Sequence, residues 1–587
     1  MDLGAECDAL FNGFRTYRAG CGPLDYYVIL GDGTLPSVIS TYAALVSPSL
    51  GTNNPKTSQK DTSCLKAWRA SFTLPPRSQF GFLASSLAVS AELHAQEAIL
   101  DFVKTCRGKG FPVDALHLSS GWCQHPETGN RHYFVWNRPR YPDPRALGAA
   151  LEKEMNIRII VNIKPWLLDD HPLYEEALKS NSYVKAAEDA PDPNVGAAKS
   201  ILWSNGLGEH MYGSYLDFST PGAVEWWSRH IKEDLVGVNM TGMWIDNNEY
   251  SGLVDDAEGY EGKCSFWGGG GDWESRLGWG GGETTVGQVG RLIQMMGMAK
   301  GAWHTRFTVH SWKEVSTTLW MYDGVEVDGV EITSLLRDIV GFRYQIIPTM
   351  YSLYVDEYWK QGWPVLRPMF WYHSADPKTL ALDEQFLFGS HALVAPVLSF
   401  GHRTKRVYLP SAVDGTNEVP EWCELDTGTW HTSPSDGGFV DIDAPLSRTP
   451  VLVRAGGILV LSNKCTETVY DGEATRVAHI FPSSSSQAGG AKGSFKLVED
   501  DGKSNEHVEK GAFTELELSF QVGEKGQQVV EVDVKELSNS YNLPYSVIWF
   551  ILPLGDNRKL RVPTGSARKT SEQKADDGRV MFGVHIS

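Results

Sequence analysis

Gly242-Met243-Trp244-Ile245-Asp246-Asn247-Asn248-Glu249-Tyr250 reads as a short apolar strand that breaks off in two carboxylates three residues apart. A carboxylate at the end of a buried strand costs desolvation free energy unless it is paired or used. Working backwards, residues 221–233 and 174–179 are helical in pattern, and 157–163 is apolar throughout, as in a strand covered on both faces. Residues 144–154 and 91–103 are helix-like, and 114–118 and 80–84 strand-like. Strands and helices alternate, which predicts a parallel β/α fold with its site at the carboxyl ends of the strands. Two strand ends then carry the candidates: the one delivering Asp246, and Asn162-Ile163-Lys164-Pro165-Trp166.

Working forwards, residues 255–283 form a Gly- and Trp-rich stretch longer than ordinary connections, the kind that serves as a lid or binding loop. Val286, Val289, Leu292, Ile293 and Met296 fall on one helical face. From about Trp371 the pattern is all-β. At the other end, the chain through Tyr26-Tyr27-Val28-Ile29-Leu30 reads as short strands with Gly turns, and 52–63 as a polar loop.

Composition narrows the function. The 42% hydrophobic and 21% charged fractions are those of a globular protein. A net charge of −19 argues against nucleic acid or an anionic membrane as partner, since both need a basic face. No apolar run approaches a membrane span, and Met1-Asp2-Leu3-Gly4 does not open a signal peptide. The compartment stays open, because a longer start could carry an export signal. Eight cysteines without a CxxC pair suit neither a zinc site nor a disulfide scaffold. The sequon Asn239-Met240-Thr241 runs into the strand before Asp246 and is expected to stay unglycosylated.

Gly242-Met243-Trp244-Ile245-Asp246-Asn247-Asn248-Glu249 resembles the nucleophile motif of glycoside hydrolase family 31, G-x-W-x-D-M-N-E, with Asn247 in place of Met. Further segments follow in family order. Gly22 to Val28 and Leu74-Pro75-Pro76-Arg77 resemble the approach to the barrel, and Asp217-Phe218-Ser219-Thr220-Pro221 its D-F-T-N-P turn. Arg343 to Pro348 resembles the last-helix R-Y-x-L-L-P, and Val365 to Met369 V-x-R-P-L. Asp383 to Gly389, Arg454 to Ile458 and Glu499-Asp500-Asp501-Gly502 look like the two C-terminal β domains.

The resemblance implies a (β/α)8 TIM-type barrel followed by two β-sandwiches, α/β plus β in class. The divisions are 1–73, a remnant of an N-terminal β-sandwich with its linker; 74–370, the barrel; 371–462, the proximal sandwich; and 463–587, the distal one. It implies a cofactor-free retaining glycosidase acting on an oligosaccharide or other α-glycoside through two carboxylates. Asp246 would be the nucleophile. Trp244, Trp166, Ser119 and His310 (in Arg306-Phe307-Thr308-Val309-His310-Ser311-Trp312) would contact the sugar. Glu249 is read as orienting the loop after the strand. No metal is implied, and the oligomeric state is left open.

Two departures follow from the same comparison. The family's W-x-D-I-D-Y becomes His117-Leu118-Ser119-Ser120-Gly121-Trp122, removing two carboxylates that hold sugar hydroxyls. The acid/base motif W-x-G-D and the T-R-S strand occur nowhere, and Gly297-Met298-Ala299-Lys300 runs directly into Gly301-Ala302-Trp303. A strand with its crossover helix needs roughly 30 residues or more, so about two such units are expected to be missing after Lys300 and the barrel to be incomplete. Three readings follow: a glycosidase chain that has lost this segment, by splicing or gene prediction; a non-catalytic carbohydrate-binding paralogue; or an enzyme drawing its acid from Asp255, Asp256 or Asp272.

Overall fold

The computed structural model describes residues 31–46, 75–86, 89–185, 196–204, 210–218, 220–245, 307–311, 318–399, 401–411, 419–470, 474–483, 491–504, 506–523 and 528–586. Two units divide it, residues 1–72 with 360–363, and the remainder. In the first, the helix α1 (Leu35–Val46) carries Pro36 in its first turn, where a missing N–H costs nothing. Ser40 Oγ accepts from the Trp363 indole at 2.8 Å. The β character expected of residues 1–73 therefore fails in this described part, which is helical. The strand pattern at 26–30 lies outside the described residues.

The second unit starts with five parallel strands: β1 (Phe82–Ser86), β2 (Ala115–Leu118), β3 (Arg158–Ile163), β7 (Gly242–Ile245) and β8 (Phe307–Ser311), in sheet order β7-β3-β2-β1-β8. Three further strands, β4 (Trp166–Leu168), β5 (Ser200–Trp203) and β6 (His210–Tyr215), form a small antiparallel sheet inserted between β3 and β7. The first and last barrel strands are neighbours, with Ser85 level with His310, as ring closure demands. Among the described residues the sheet has five strands, with β7 and β8 outermost.

The helices follow from local chemistry. In α2 (Ala95–Gly108), Ile99, Val103 and Cys106 keep one face buried. The side chain of Asp143 caps α3 (Pro144–Ala149) by accepting from the Ala146 N–H at 3.0 Å, and Thr220 caps α5 (Pro221–His230) through Ala223 at 3.3 Å. Thus the D-F-T-N-P-like turn is a helix start. The helix α4 (Tyr174–Lys179) falls on the expected residues. Asn239, at φ 67°, ends a short 3-10 turn and gives its Nδ2 to the Arg145 carbonyl at 3.1 Å, so the sequon amide is engaged in structure.

The last helix of the barrel, α6 (Ile332–Gln345), explains the R-Y motif. Buried Arg343 donates from Nε to the Phe80 carbonyl at 2.7 Å. Tyr344 accepts from the Phe82 N–H at 2.9 Å and donates to the Asp114 carboxylate. Both residues tie the amino ends of β1 and β2 to this helix.

Beyond the barrel, a six-stranded sheet and the pair Thr404–Leu409 with Gly438–Asp443 enclose Leu387, Leu393, Val407, Trp422 and Leu452. A five-stranded and a four-stranded sheet then enclose Val460, Leu516, Val532 and Phe550. The boundaries expected at 370/371 and 462/463 move earlier. Leu366–Arg367 already pairs with Phe386–Phe388, and Ile458–Ser462 already pairs with Arg476–Ile480. No helix among the described residues is long and apolar enough to cross a membrane.

Candidate active site

Strand register decides which residues share a face. Ser85 of β1 is level with His117 of β2, His117 with Ile160 of β3, and Asn162 of β3 with Trp244 of β7. Leu83 and Ala115, one step lower on that face, cluster with Ile160, and Trp244 packs against them. The Trp244 and His117 rings lie 5.8 Å apart. His310 occupies the row of Ser85 and His117 by register. One inner face therefore carries Trp244 and His117. β7 stops at Ile245, and Asp246 and Glu249 lie outside the described residues.

Ser119 follows β2 directly, half-buried in extended backbone. The turn after it is held from several sides. Arg131 donates from Nε to Ser120 Oγ. Arg140 donates to the Gly121 carbonyl at 3.1 Å, and the Trp122 indole to the Asn162 carbonyl at 3.0 Å. Gly121 is pressed against another backbone: a Cβ there would lie 2.5 Å from the Ser90 carbonyl oxygen and 2.8 Å from Ala91 Cα. A carboxylate cannot be restored at 121 without moving that segment, so the altered motif is built into the packing.

Trp166 departs from expectation. It sits in β4 opposite Tyr215, 2% exposed, with the Tyr133 ring edge-on at 5.3 Å. It holds the inserted sheet to the preceding loop, and its enclosed ring offers no sugar-stacking face. Sequence reading also missed a group of imidazoles in these elements. The His132 ring lies 5.3 Å from that of His125 and 5.0 Å from that of His171, and its Nε2 is 3.2 Å from Asp170. Burial, with His132 beside it, pushes His171 down to about 3, so that ring stays neutral. Among the described residues no three His, Cys, Asp or Glu side chains form a metal-holding group. Cys106, Cys123, Cys423 and Cys465 are free thiols.

A strongly perturbed carboxyl lies at the opposite end. Asp114, fully buried just before β2, is pushed up to about 7 by burial, against donation from Tyr344 and from the Val469 N–H at 2.9 Å. Shifted groups often mark active sites, but the amino end of a barrel is its structural floor.

The carboxyl edge of a parallel sheet, where Trp244 and His117 lie together, is where a β/α barrel builds its active site. Comparison with known proteins fixes the family. The description "Glycosyl hydrolases family 31 TIM-barrel domain" matches residues 72–266, and "Glycosyl hydrolase family 31 C-terminal domain" residues 362–459. Alpha-glucosidase 2 of Bacillus thermoamyloliquefaciens is 21% identical over 90% of this chain and 68% of its own length. Neutral alpha-glucosidase C of Mus musculus is 22% identical over 70% of this chain and 50% of its own. Among solved structures, the family 31 dextranase of Flavobacterium johnsoniae, solved with glucose, shares the fold at TM-score 0.65 and 17% identity, covering 90% of this chain and 72% of that one. The family 31 alpha-xylosidase of Xanthomonas citri does so at 0.63 and 19%, covering 86% and 60%. The chain is a member of glycoside hydrolase family 31, a glycosidase by family, and spans between half and about two thirds of the two glucosidases.

Proposed function

We propose that this chain derives from a retaining α-glycoside hydrolase, with Asp246 as its nucleophile, and that its catalysis is impaired for want of an acid/base carboxylate. The observation that carries the reading is Trp244, packed beside His117 on the inner face of a strand that ends one residue before Asp246. A carboxylate there would attack the anomeric carbon, and the retaining mechanism asks for a second one about 5–5.5 Å away. W-x-G-D, which would supply it, is absent from the sequence. The relatives' names, α-glucosidase and α-xylosidase, support an α-linked substrate. Ser119 and the crowded Gly121 argue against the usual clamp on the sugar hydroxyls.

The test compares leaving groups. Without a general acid, loss of a sugar hydroxyl is slowed by typically 10²–10⁴-fold, whereas an activated aryl oxygen needs little protonation. Aryl α-glycosides should turn over slowly, disaccharides hardly at all, azide should accelerate the aryl reaction, and Asp246→Asn should abolish it. Comparable rates on both substrates without an azide effect would show a substitute acid such as Asp255, Asp256 or Asp272. Sugar binding with no turnover of either would establish the carbohydrate-binding reading, which the blocked position 121 favours.

A further inference from the structure

The floor of the barrel, away from the sugar site, contains a cavity of about 190 Å³ lined by Ser78, Gln79, Arg158, Thr241, Gly242 and Lys503, among others. Arg158 is the first residue of β3 and Gly242 the first of β7, so the cavity opens at the amino ends of the strands. Lys503 comes from the distal-domain turn that follows Glu499-Asp500-Asp501-Gly502. Both cations gather on Tyr470: the ammonium lies 4.5 Å from the ring centroid and the guanidinium carbon 5.9 Å. The Tyr470 hydroxyl accepts from the Ser78 N–H at 3.2 Å, fixing the ring at the rim.

Their other contacts leave donors over. Arg158 gives one N–H to Glu152 at 3.1 Å, and Lys503 gives one to the neutral amide oxygen of Asn156 at 3.1 Å. Burial and the nearby Arg158 hold the Lys503 ammonium below the ordinary lysine range, although Asp501 and Glu152 pull the other way. Arg158 and Lys503 oppose each other's charge around a polar cavity, an opposition that Glu152 and Asp501 offset and that an anion in the cavity would offset further.

We propose that the barrel floor binds a small multivalent oxyanion, either inorganic phosphate or the phosphate of a phosphorylated sugar, between Arg158 and Lys503. A guanidinium engages two phosphate oxygens at once, and a lysine adds a mobile point charge. The site stands apart from the glycosidase reading, because it lies at the end of the barrel opposite the candidate active site.

Calorimetric titration of the full chain with inorganic phosphate, at constant ionic strength against chloride, tests it. One saturable site is expected. Lys503→Gln and Arg158→Gln should each weaken Kd about tenfold, the loss of one charge-assisted contact, and Lys503→Arg should retain binding. Circular dichroism would confirm that the variants fold. Asp246→Asn should bind phosphate like the parent, so failure of the catalytic reading leaves this one standing. Glucose 6-phosphate binding more tightly than inorganic phosphate would identify a sugar phosphate as the ligand, and equal affinity the free oxyanion. Absence of saturable heat with both, or undiminished binding by Lys503→Gln and Arg158→Gln, would overturn the proposal.

Discussion

Position 121 shows how one residue without a side chain can decide chemistry. The packing of Gly121 on Ser90 and Ala91 leaves no room for the second aspartate of the family motif. Gly121→Asp should therefore cost at least about 1–3 kcal/mol, the usual penalty of forcing atoms into a filled space. Ser119→Asp, at a half-buried site, should cost less. Thermal melts of the two variants decide it, and a Gly121→Asp protein as stable as the parent would refute the crowding. The loss of acidic residues was legible in the sequence; the barrier to restoring them was not, since Ser90 lies 31 residues away and reaches Gly121 only in the fold. Trp166 was misread for the same reason. Its partner Tyr215 is distant in sequence, and a Trp after a strand end looks alike whether it faces a sugar or a core.

Among elements, those set by local pattern were legible. β7 and α4 fall where periodicity put them, and β3 begins one residue later than expected. The inserted sheet β4-β6-β5 was not foreseen, because its strands are short and pair across long loops. The tie between α6 and β2 was visible only as a motif. Its physical content is the buried Asp114–Tyr344 contact, and it has a pH signature. The Asp114 carboxyl, near 3.8 when unfolded, rises to about 7 in the fold. Its contribution is therefore fully present below pH 3.8 and is lost as pH rises through 7, a swing of up to about 4 kcal/mol. Stability should fall between pH 4 and 8, and Asp114→Asn should flatten that fall. Denaturant titrations across this range measure it. An equal slope in parent and variant would mean that Asp114 does not carry the effect.

At the scale of the whole second unit, two features pull in opposite directions. Arg77, at the barrel entry, donates to Glu499 at 2.8 Å, while Arg476 donates to the same carboxylate at 2.6 Å and Tyr545 at 3.0 Å. Burial opposes the charge on Glu499, but the two arginines outweigh it and hold the carboxyl down at about 2. That stabilisation is present above pH 4.5 and lost as pH falls through 2. Glu499→Gln should cost about 3–5 kcal/mol at neutral pH by leaving the buried Arg476 guanidinium without its carboxylate and Arg77 with Asp500 alone at 3.3 Å, seen as an early chemical denaturation midpoint. A midpoint within error of the parent's would remove this network from the account of how barrel and distal domain hold together.

The opposing feature is the sheet itself. β8 sits against β1 as the last strand of a ring should, yet 61 residues separate β7 from β8. Eight strands would require three more in that interval with their crossovers, at roughly 30 residues or more per unit, and it holds about two units at most. If the chain has lost a segment there, as proposed above, the ring would not close and would leave strand edges and core surface open, which favours association. The chain should accordingly melt early and aggregate as it does so. Restoring after Lys300 the βα units that a family relative carries there should raise the melting temperature and suppress light scattering, because the added strands would cover those edges. The Arg77–Glu499 tie cannot substitute for them, since it fastens the barrel to the distal domain at one point and pairs no strand. If the extended and original chains melt alike, cooperatively and without scattering, the shortened barrel is complete in its own way and the missing-segment reading fails.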